Sequence, residues 1–573
     1  MCGIAGVLGS QAAPGSVRPL IEQLTHRGPN GVRVEDAPGA SLGHARLSII
    51  DLEGGWQPLT AAGSTVIGNG EIYNYLELIE EFGLNDKLTT GSDFEPLLHL
   101  YALEGDRAFD RLRGMYAFCL LGADGRDWLV RDPFGIKPLY VIQKEDSLAF
   151  ASEAGAFVRA GLKPHLETEQ AAQLLSLNYT VGSDTIFGGV ARLAPGEIVE
   201  VKDGVVAGVR ARPALVRTPR PTVPDLDALD RVLEDSVRVH QRSDVPYGLF
   251  LSGGIDSATV AALMSRLNER PVTAFTCGFD AEGASDERRQ AEAVARALDL
   301  DWRETSFGEA DFWRIAPLAA QALDDPTTDY ATLPTYKLAE AAKGTLTVVL
   351  TGEGGDELFA GYSRYRRALR PVLFGGRPAE PQLGFEGFAE PVTPLDDWRD
   401  DTEAARTAPG LTRLQRAQAA DVAAWLPDDL LLKLDRCLMA HGLEGRTPFL
   451  DPEVARFAFN LPDRAKVRGR HGKHLLRQWL ERHCPAAQPW AKKKGFTVPV
   501  AGWLAPRAAD LGPRIAAVEG VAQVCDIDAV TAVFSDGGKE SARWPLLFFA
   551  LWWRIHFERA TPDEAMASLL GTR

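Results

Sequence analysis

Hydrophobic and polar positions divide the chain into two regimes. Up to about residue 205, short apolar or alternating runs follow one another: "MCGIAGVLG", "ARLSIID", "STVIGNGEIYNY", "MYAFCLLG", "DWLVRD", "PLYVIQ" and "LAFASE". Gly, Asp and Pro punctuate them, which predicts short strands. "DFEPLLHLYALEG" interrupts with apolar residues at helical spacing. Two facing sheets, or a sheet covered by helices, fit this pattern. The stretch "VRARPALVRTPRPTVPDLD" is rich in Pro and Arg and lacks periodicity, which predicts a linker over residues 206–226.

Beyond it, strand and helix patterns alternate. "DALDRVLEDSVRVHQ" reads as helix, "YGLFLS" as strand, "SATVAALMSRLN" as helix, "VTAFTCGF" as strand, "DERRQAEAVARALD" as helix and "LTVVLTG" as strand. Such alternation predicts a doubly wound parallel sheet. From about 365 the chain reads as mostly helical. Its longest apolar run, "WPLLFFALWW", is too short to span a bilayer and reads as a buried helix. There is no internal repeat.

Size and composition narrow the classes. A chain of 573 residues is too long for one core, so two or more domains are expected. With 62 Lys and Arg against 78 Asp and Glu, the net charge is −16, which argues against a general nucleic-acid binder. A local basic pocket for a nucleotide remains compatible. The six cysteines (Cys2, Cys119, Cys277, Cys437, Cys484 and Cys525) are scattered, with no CxxC pair and no zinc spacing. A reduced, cytoplasmic protein is expected. The N-terminus has no basic n-region or long apolar stretch of the kind a secretory signal needs.

Two stretches carry chemistry. "YGLFLSGGIDSATVAAL" is a strand, then Ser252-Gly253-Gly254-Ile255-Asp256-Ser257, then a helix. Glycines there let the backbone approach an anion, and a helix N-terminus offers free N–H groups. Asp256 would repel phosphate unless a cation lies between, so it suggests Mg²⁺. The spacing is not that of a Walker-A loop. "LTVVLTGEGGDELFAGY" repeats the plan with Thr351, Glu353, Asp356 and Glu357. Two Gly-rich strand ends in one parallel sheet suit a shared crevice. Read alone, the first loop could also be a plain capped turn.

Together these stretches resemble the glutamine-dependent asparagine synthetase family of the bacterial B type, over nearly the whole chain. SGGIDS is similar to the pyrophosphate loop of the ATP-pyrophosphatase superfamily, and TGEGGDELFAGY to the family's second loop. "DRCLMAHGLEGRTPFLD", "GKHLLR" and "KKKGFTVP" match further segments. MCGIAGV, HRGPNG, HARLSIIDL, GNGEIYNY, TGSDFE and RDPFGIKPLY resemble a class II glutamine amidotransferase.

The resemblance implies an α+β N-terminal nucleophile (Ntn) hydrolase domain, a sheet sandwich with helices, over 1–205. An α/β synthetase domain with a mostly helical C-terminal part is implied over 227–573. Removal of Met1 would make Cys2 the terminal nucleophile, with its own α-amine, of pKa about 7.7–8.0, as general base. Asn69 and Gly70 would form the oxyanion hole. Arg46 would hold the glutamine carboxylate, the backbone of Leu47, Ser48, Ile49 and Ile50 would line the pocket, and Glu71 and Asp93 would bind the glutamine amine and amide. Leu251, Ser252, Gly253, Gly254, Asp256, Ser257, Cys277, Thr351 and Gly352 would bind ATP. Asp256 and Asp356 would hold Mg²⁺. Glu353 would serve acyl-adenylate formation and Lys473 would neutralise charge at the α-phosphate.

The implied reaction joins L-aspartate, ATP and ammonia from glutamine, the ammonia crossing an internal apolar tunnel. The implied partners are these small molecules, with no nucleic acid and no membrane, and a homodimer is compatible. The sequence departs from the family pattern at Asn30, Ala258, Thr351, Asp325, Leu438 and Gly442. The last three are expected on the acceptor side, which leaves a relative that amidates another carboxylic acid as the alternative. Cys2 and Glu353 argue against a cyclising relative, and the full residue set argues against a non-catalytic scaffold.

Overall fold

The computed structural model describes residues 2–280, 287–492, 498–535 and 537–572. Met1 and residues 493–497 of the KKKGFTVP segment lie outside them. The first two hundred residues build two six-stranded sheets. One runs Ala191–Arg192, Tyr140–Lys144, Ser147–Ala151, Gly3–Gly9, Ala40–Ala45, Val32–Ala37. The other runs Val205–Ala211, Glu197–Lys202, Asp127–Arg131, Gly114–Leu121, Ser64–Ile72, Leu59–Ala61. Neighbouring strands are antiparallel.

Alternation along the strands explains how the sheets meet. Ile4, Leu8, Leu42 and Phe150 of the first sheet form one buried cluster with Ile67, Ala117, Leu129 and Val199 of the second. The opposite face of the second sheet buries Phe118 and Trp128 against Leu97, Leu98 and Tyr101 of the helix Glu95–Glu104. The opposite face of the first packs Ala5 and Val7 against Val17, Leu20 and Phe157. Both sequence expectations therefore hold at once: the sheets face each other and helices cover them. The strand Val205–Ala211 pairs with Glu197–Lys202, so the expected linker begins later than 206. Its first residues, valine-rich and alternating, continue the sheet, and the irregular segment ends at Asp225, which caps the helix Leu226–His240.

The second half is built on a five-stranded parallel sheet in the order Asp301–Phe307, Thr273–Phe279, Tyr247–Phe250, Val348–Leu350, Glu444–Arg446. The chain order reverses between Tyr247–Phe250 and Val348–Leu350, and the crevice beyond the carboxyl ends of such strands is where ligands bind. Both Gly-rich loops leave from those two strands. The C-terminal part is helical, and the run "WPLLFFALWW" lies in the buried helix Arg543–His556. No helix among the described residues is long and apolar enough to cross a membrane. A π-helical segment, Asp421–Leu431, with Pro427 inside it, leads into the helix Leu432–Met439.

Candidate active site

At the sandwich end, Cys2 immediately precedes the central strand Gly3–Gly9. Its N–H donates to Oδ1 of Asn69 at 3.1 Å, and its Sγ lies 3.8 Å from the carbonyl oxygen of Leu47. Nδ2 of Asn69 is buried and has no hydrogen-bond partner among the described residues. A buried amide donor left open is costly unless something arrives to accept from it. Gly70 has φ +135°, and a side chain there would collide with the Met115 carbonyl. Burial pushes the Cys2 thiol up, so the thiol needs a base to become a nucleophile.

The expected pocket wall is irregular chain after the strand Ala40–Ala45. The Arg46 guanidinium donates to the carbonyls of Asp51 (2.6 Å) and Leu52 (3.1 Å) and lies 4.9 Å from the Trp56 ring. The Ser48 N–H donates to Oδ1 of Asn30 at 3.0 Å, so this departure from the family pattern helps fix the wall. Ile49 accepts from the Asp244 N–H (2.9 Å) and the Asp51 N–H donates to Oδ2 of Asp244 (2.8 Å). Leu47 is buried and Ile50 half-buried beside them. Glu71 and Asp93 are buried. Burial raises both carboxyls, Asp93 to about 7, although Asp93 accepts from the Ile72 N–H at 2.7 Å.

At the other end, Ser252 and Ser257 close their loop on each other, Oγ to Oγ 2.9 Å, and the Gly254 N–H donates to Oγ of Ser252 at 3.1 Å. The Gly253 N–H donates to Glu287 at 3.2 Å. The second loop comes so close that a Cβ on Gly352 would lie 2.8 Å from both the Ser257 nitrogen and the Asp256 Cβ. That is the physical need for glycine there. The Thr351 N–H donates to the carbonyl of Arg446 on the neighbouring strand at 2.9 Å. Leu251 is buried in the core, so its backbone is what it offers a ligand. Cys277 is half-buried within the strand Thr273–Phe279, with its thiol pushed up to about 12 by burial, a small side chain of low reactivity.

Lys473 joins the two loops. Its ammonium pairs with Asp356 at 2.7 Å and also with Asp256. It is 4% exposed. Burial works against its charge, but the two carboxylates outweigh burial and hold it protonated. Its backbone has φ +55°, a left-handed conformation that a non-glycine residue adopts at a cost. Two carboxylates beside phosphate oxygens are a donor set suited to Mg²⁺.

Glu353 faces a lysine that the sequence did not single out. Lys433, in the apolar run "LLLKLDRCLM", is buried, with Nζ 2.5 Å from Asp329. Burial raises the Glu353 carboxyl while Lys433 opposes that rise. The only sequence signal was a charge inside a helix with no polar face.

The three departures expected on the acceptor side have these contacts. Asp325 is fully buried, accepting from the Tyr140 hydroxyl (2.8 Å) and from Arg192 (2.7 Å), both in the sandwich half. Leu438 is buried in the core. Gly442 has φ +68°, beside Pro29. They belong to the seam between the halves and to packing.

Two centres on these two architectures define an amidotransferase sandwich joined to a nucleotide-binding ligase sheet. The chain belongs to the asparagine synthase family, whose profile matches residues 228–554, while the glutamine amidotransferase domain profile matches residues 1–210. It is 32% identical to asparagine synthetase [glutamine-hydrolyzing] 1 of Bacillus subtilis, covering 98% of both chains. It is 34% identical to a putative asparagine synthetase [glutamine-hydrolyzing] of Mycobacterium tuberculosis, over 98% of this chain and 97% of that one. It is also 27% identical to a protein named amidase chry2 of Gibberella zeae, over 88% and 89%.

Proposed function

We propose that this protein is a glutamine-hydrolysing asparagine synthetase acting on L-aspartate. The observation that carries the reading is Asn69, which fixes Cys2 through Oδ1 and leaves Nδ2 open for an oxyanion. Once Met1 is removed, the α-amine of Cys2 takes the thiol proton, and the sulfur attacks the glutamine side-chain amide. Asn69 Nδ2 and the Gly70 N–H stabilise the tetrahedral oxyanion, ammonia leaves, and water hydrolyses the thioester to glutamate. Arg46 and the Leu47–Ile50 wall hold the α-carboxylate, Glu71 the α-amine, and Asp93 the amide.

At the second centre, SGGIDS with Thr351 and Gly352 cradles ATP, and Leu251 and Cys277 border the nucleoside. Asp256 and Asp356 would hold Mg²⁺, which when bound offsets triphosphate charge. The aspartate β-carboxylate attacks the α-phosphorus, pyrophosphate leaves, and ammonia then displaces AMP to give asparagine. Lys473 balances the charge that grows on the α-phosphate, and Glu353 serves adenylate formation. An apolar passage between the centres keeps ammonia unprotonated. All six cysteines are unpaired, which fits a reducing cytoplasm.

We favour aspartate over another acid because the hydrogen bonds of Asp325 and the packing of Leu438 and Gly442 account for these departures without calling on a different acceptor. The test is pyrophosphate release with Mg-ATP and free ammonia, comparing L-aspartate, no acceptor and a panel of carboxylic acids. Aspartate-dependent release with equal asparagine supports the reading. Silence with aspartate and turnover with another acid overturns it.

A further inference from the structure

The glutamine end is completed by residues of the synthetase half. Glu71, on the strand Ser64–Ile72, is 5% exposed, and its Oε2 has no hydrogen-bond partner among the described residues. A buried carboxylate oxygen without a donor is costly, so it marks a place where a ligand's donor is expected. Its other oxygen, Oε1, forms an ion pair with Nη2 of Arg446 at 3.4 Å, a charge contact, since Nη2 has no hydrogen-bond partner among the described residues. Arg446 comes from the far edge strand of the synthetase sheet, Glu444–Arg446, and is fully buried.

The guanidinium is fixed on its remaining sides. Nε donates to Glu444 at 2.6 Å, and Nη1 donates to the carbonyls of His240 (2.8 Å) and Arg242 (2.7 Å). The same segment supplies Asp244, whose main chain and carboxylate are bonded to Ile49 and Asp51 of the glutamine wall. Burial first, then Asp93 and Glu444, raise the Glu71 carboxyl well above its ordinary range; Arg446 opposes that rise without cancelling it, and an arriving α-ammonium would act in the same direction as Arg446. An ionised, oriented carboxylate is what an α-ammonium group requires.

We propose that Arg446 is a positioning residue of the glutamine site, supplied across the seam, that holds the Glu71 carboxylate so that its second oxygen receives the α-ammonium of glutamine. The proposal rests on the reading that Glu71 meets that amine. It makes the sandwich half incomplete by itself: its ligand-facing carboxylate is set by a side chain of the other half.

The experiment uses the full chain with Arg446→Met and Arg446→Lys. Glutamine hydrolysis is measured against glutamine concentration, and also with glutaramate, which is glutamine without its α-amine. Ammonia-dependent synthesis reports the integrity of the second half. The methionine variant should raise KM for glutamine about tenfold or more with little change in kcat. Its preference for glutamine over glutaramate, as a ratio of kcat/KM, should shrink by a similar factor. The lysine variant, which keeps a charge but has fewer donors, should fall between it and the wild type. A merely structural role would depress hydrolysis of both substrates and ammonia-dependent synthesis together, leaving the preference ratio unchanged, and would overturn the proposal. Should the methionine variant not accumulate, the ratio in the lysine variant decides in the same way. If the wild-type chain hydrolyses glutamine but prefers glutaramate equally, the assignment of Glu71 itself fails. No hydrolysis at all would instead overturn the glutaminase reading, and the proposal with it.

Discussion

Arg27 grips Asp435 with both ends of its guanidinium, Nη1 to Oδ2 at 2.8 Å and Nη2 to Oδ1 at 3.1 Å, while its Nε donates to the carbonyl of Cys2 at 3.2 Å. Arg27 belongs to HRGPNG near the start of the chain, and Asp435 to the helix Leu432–Met439 that also carries Lys433. The backbone of Cys2, the proposed nucleophile, is thus tied, through one side chain, to the helix that carries Lys433. The pair is buried and further held by Glu153, 3.1 Å from Nη1 of Arg27.

That pair sets an acid limit. Burial would raise the Asp435 carboxyl, but Arg27 outweighs burial and holds it down to about 2. The unfolded group titrates near 3.9. Between those values the unfolded chain binds the extra proton, so the stability Asp435 contributes is complete above about pH 4 and is lost as pH falls towards 2. Asp435→Asn should cost about 3 kcal/mol at pH 7 by leaving the buried Arg27 short of charge, and should flatten the stability loss between pH 4 and 2. Urea melts at pH 3 to 7 check both. An unchanged acid slope would show that other carboxylates carry it.

Cys2→Ala should abolish glutamine hydrolysis and spare synthesis from free ammonia. Asn69 keeps its contact to the residue-2 backbone in this variant, so the fold at the sandwich edge is not disturbed. Asn69→Ala should lower glutaminase kcat by about 10²–10³-fold, the usual cost of one oxyanion donor, with a smaller change in KM. Steady-state rates with glutamine and with ammonium chloride separate the two activities. Equal loss of both in Cys2→Ala would refute two independent centres.

Much of this was legible in the chain because its chemistry is local. Ser252 to Ser257 and Thr351 to Glu357 each place glycines, hydroxyls and carboxylates within one turn after a strand, and strand ends in one parallel sheet must share an edge. The charges that meet across the halves were not legible. Arg446 and Glu71 are far apart in the chain, and Arg446 lies in a three-residue strand with two charged side chains, which no hydrophobic pattern announces. The edge strand Asp301–Phe307 escaped notice for the same reason, since only Phe307 of its residues is fully buried. Lys433 sits in an apolar run, and only the structure shows that its helix is enclosed on every side and that its ammonium meets Asp329. The contacts of Asp325 across the halves were not legible either, since its hydrogen bonds lead to Tyr140 and Arg192, far from it in the chain.

Lys473 offers a sharper test of the second centre. Lys473→Met should lower aspartate-dependent pyrophosphate release by at least about 10²-fold while glutamine hydrolysis persists. The loss is larger than a missing contact suggests, because Asp256 and Asp356 then face each other without the cation between them. Lys473→Gly should lose activity equally yet be the more stable of the two, since glycine accepts φ +55° at no cost. Thermal melts of the two variants, alongside pyrophosphate assays, distinguish a chemical role from a packing role. Equal melting temperatures would remove the backbone argument and leave the electrostatic one.

Asp325 separates seam from specificity. Its carboxylate takes the Tyr140 hydroxyl and Arg192, so removing it takes the acceptor from a buried phenol and leaves the buried guanidinium with Asp428, at 3.2 Å, as its remaining carboxylate. Asp325→Ala should therefore destabilise by about 3–5 kcal/mol. Asp325→Asn, which keeps the shape and one acceptor oxygen, should cost less. In both, the ranking of carboxylic acids in the ammonia-dependent reaction should match the wild type, measured at a temperature where each variant is folded. The reasoning is geometric: the hydrogen bonds of Asp325 point into the sandwich half, whereas Glu353, Lys433 and Lys473 lie at the carboxyl edge of the parallel sheet. A changed acceptor ranking in Asp325→Asn, with stability little altered, would place this residue in the acceptor pocket after all and reopen the choice of substrate.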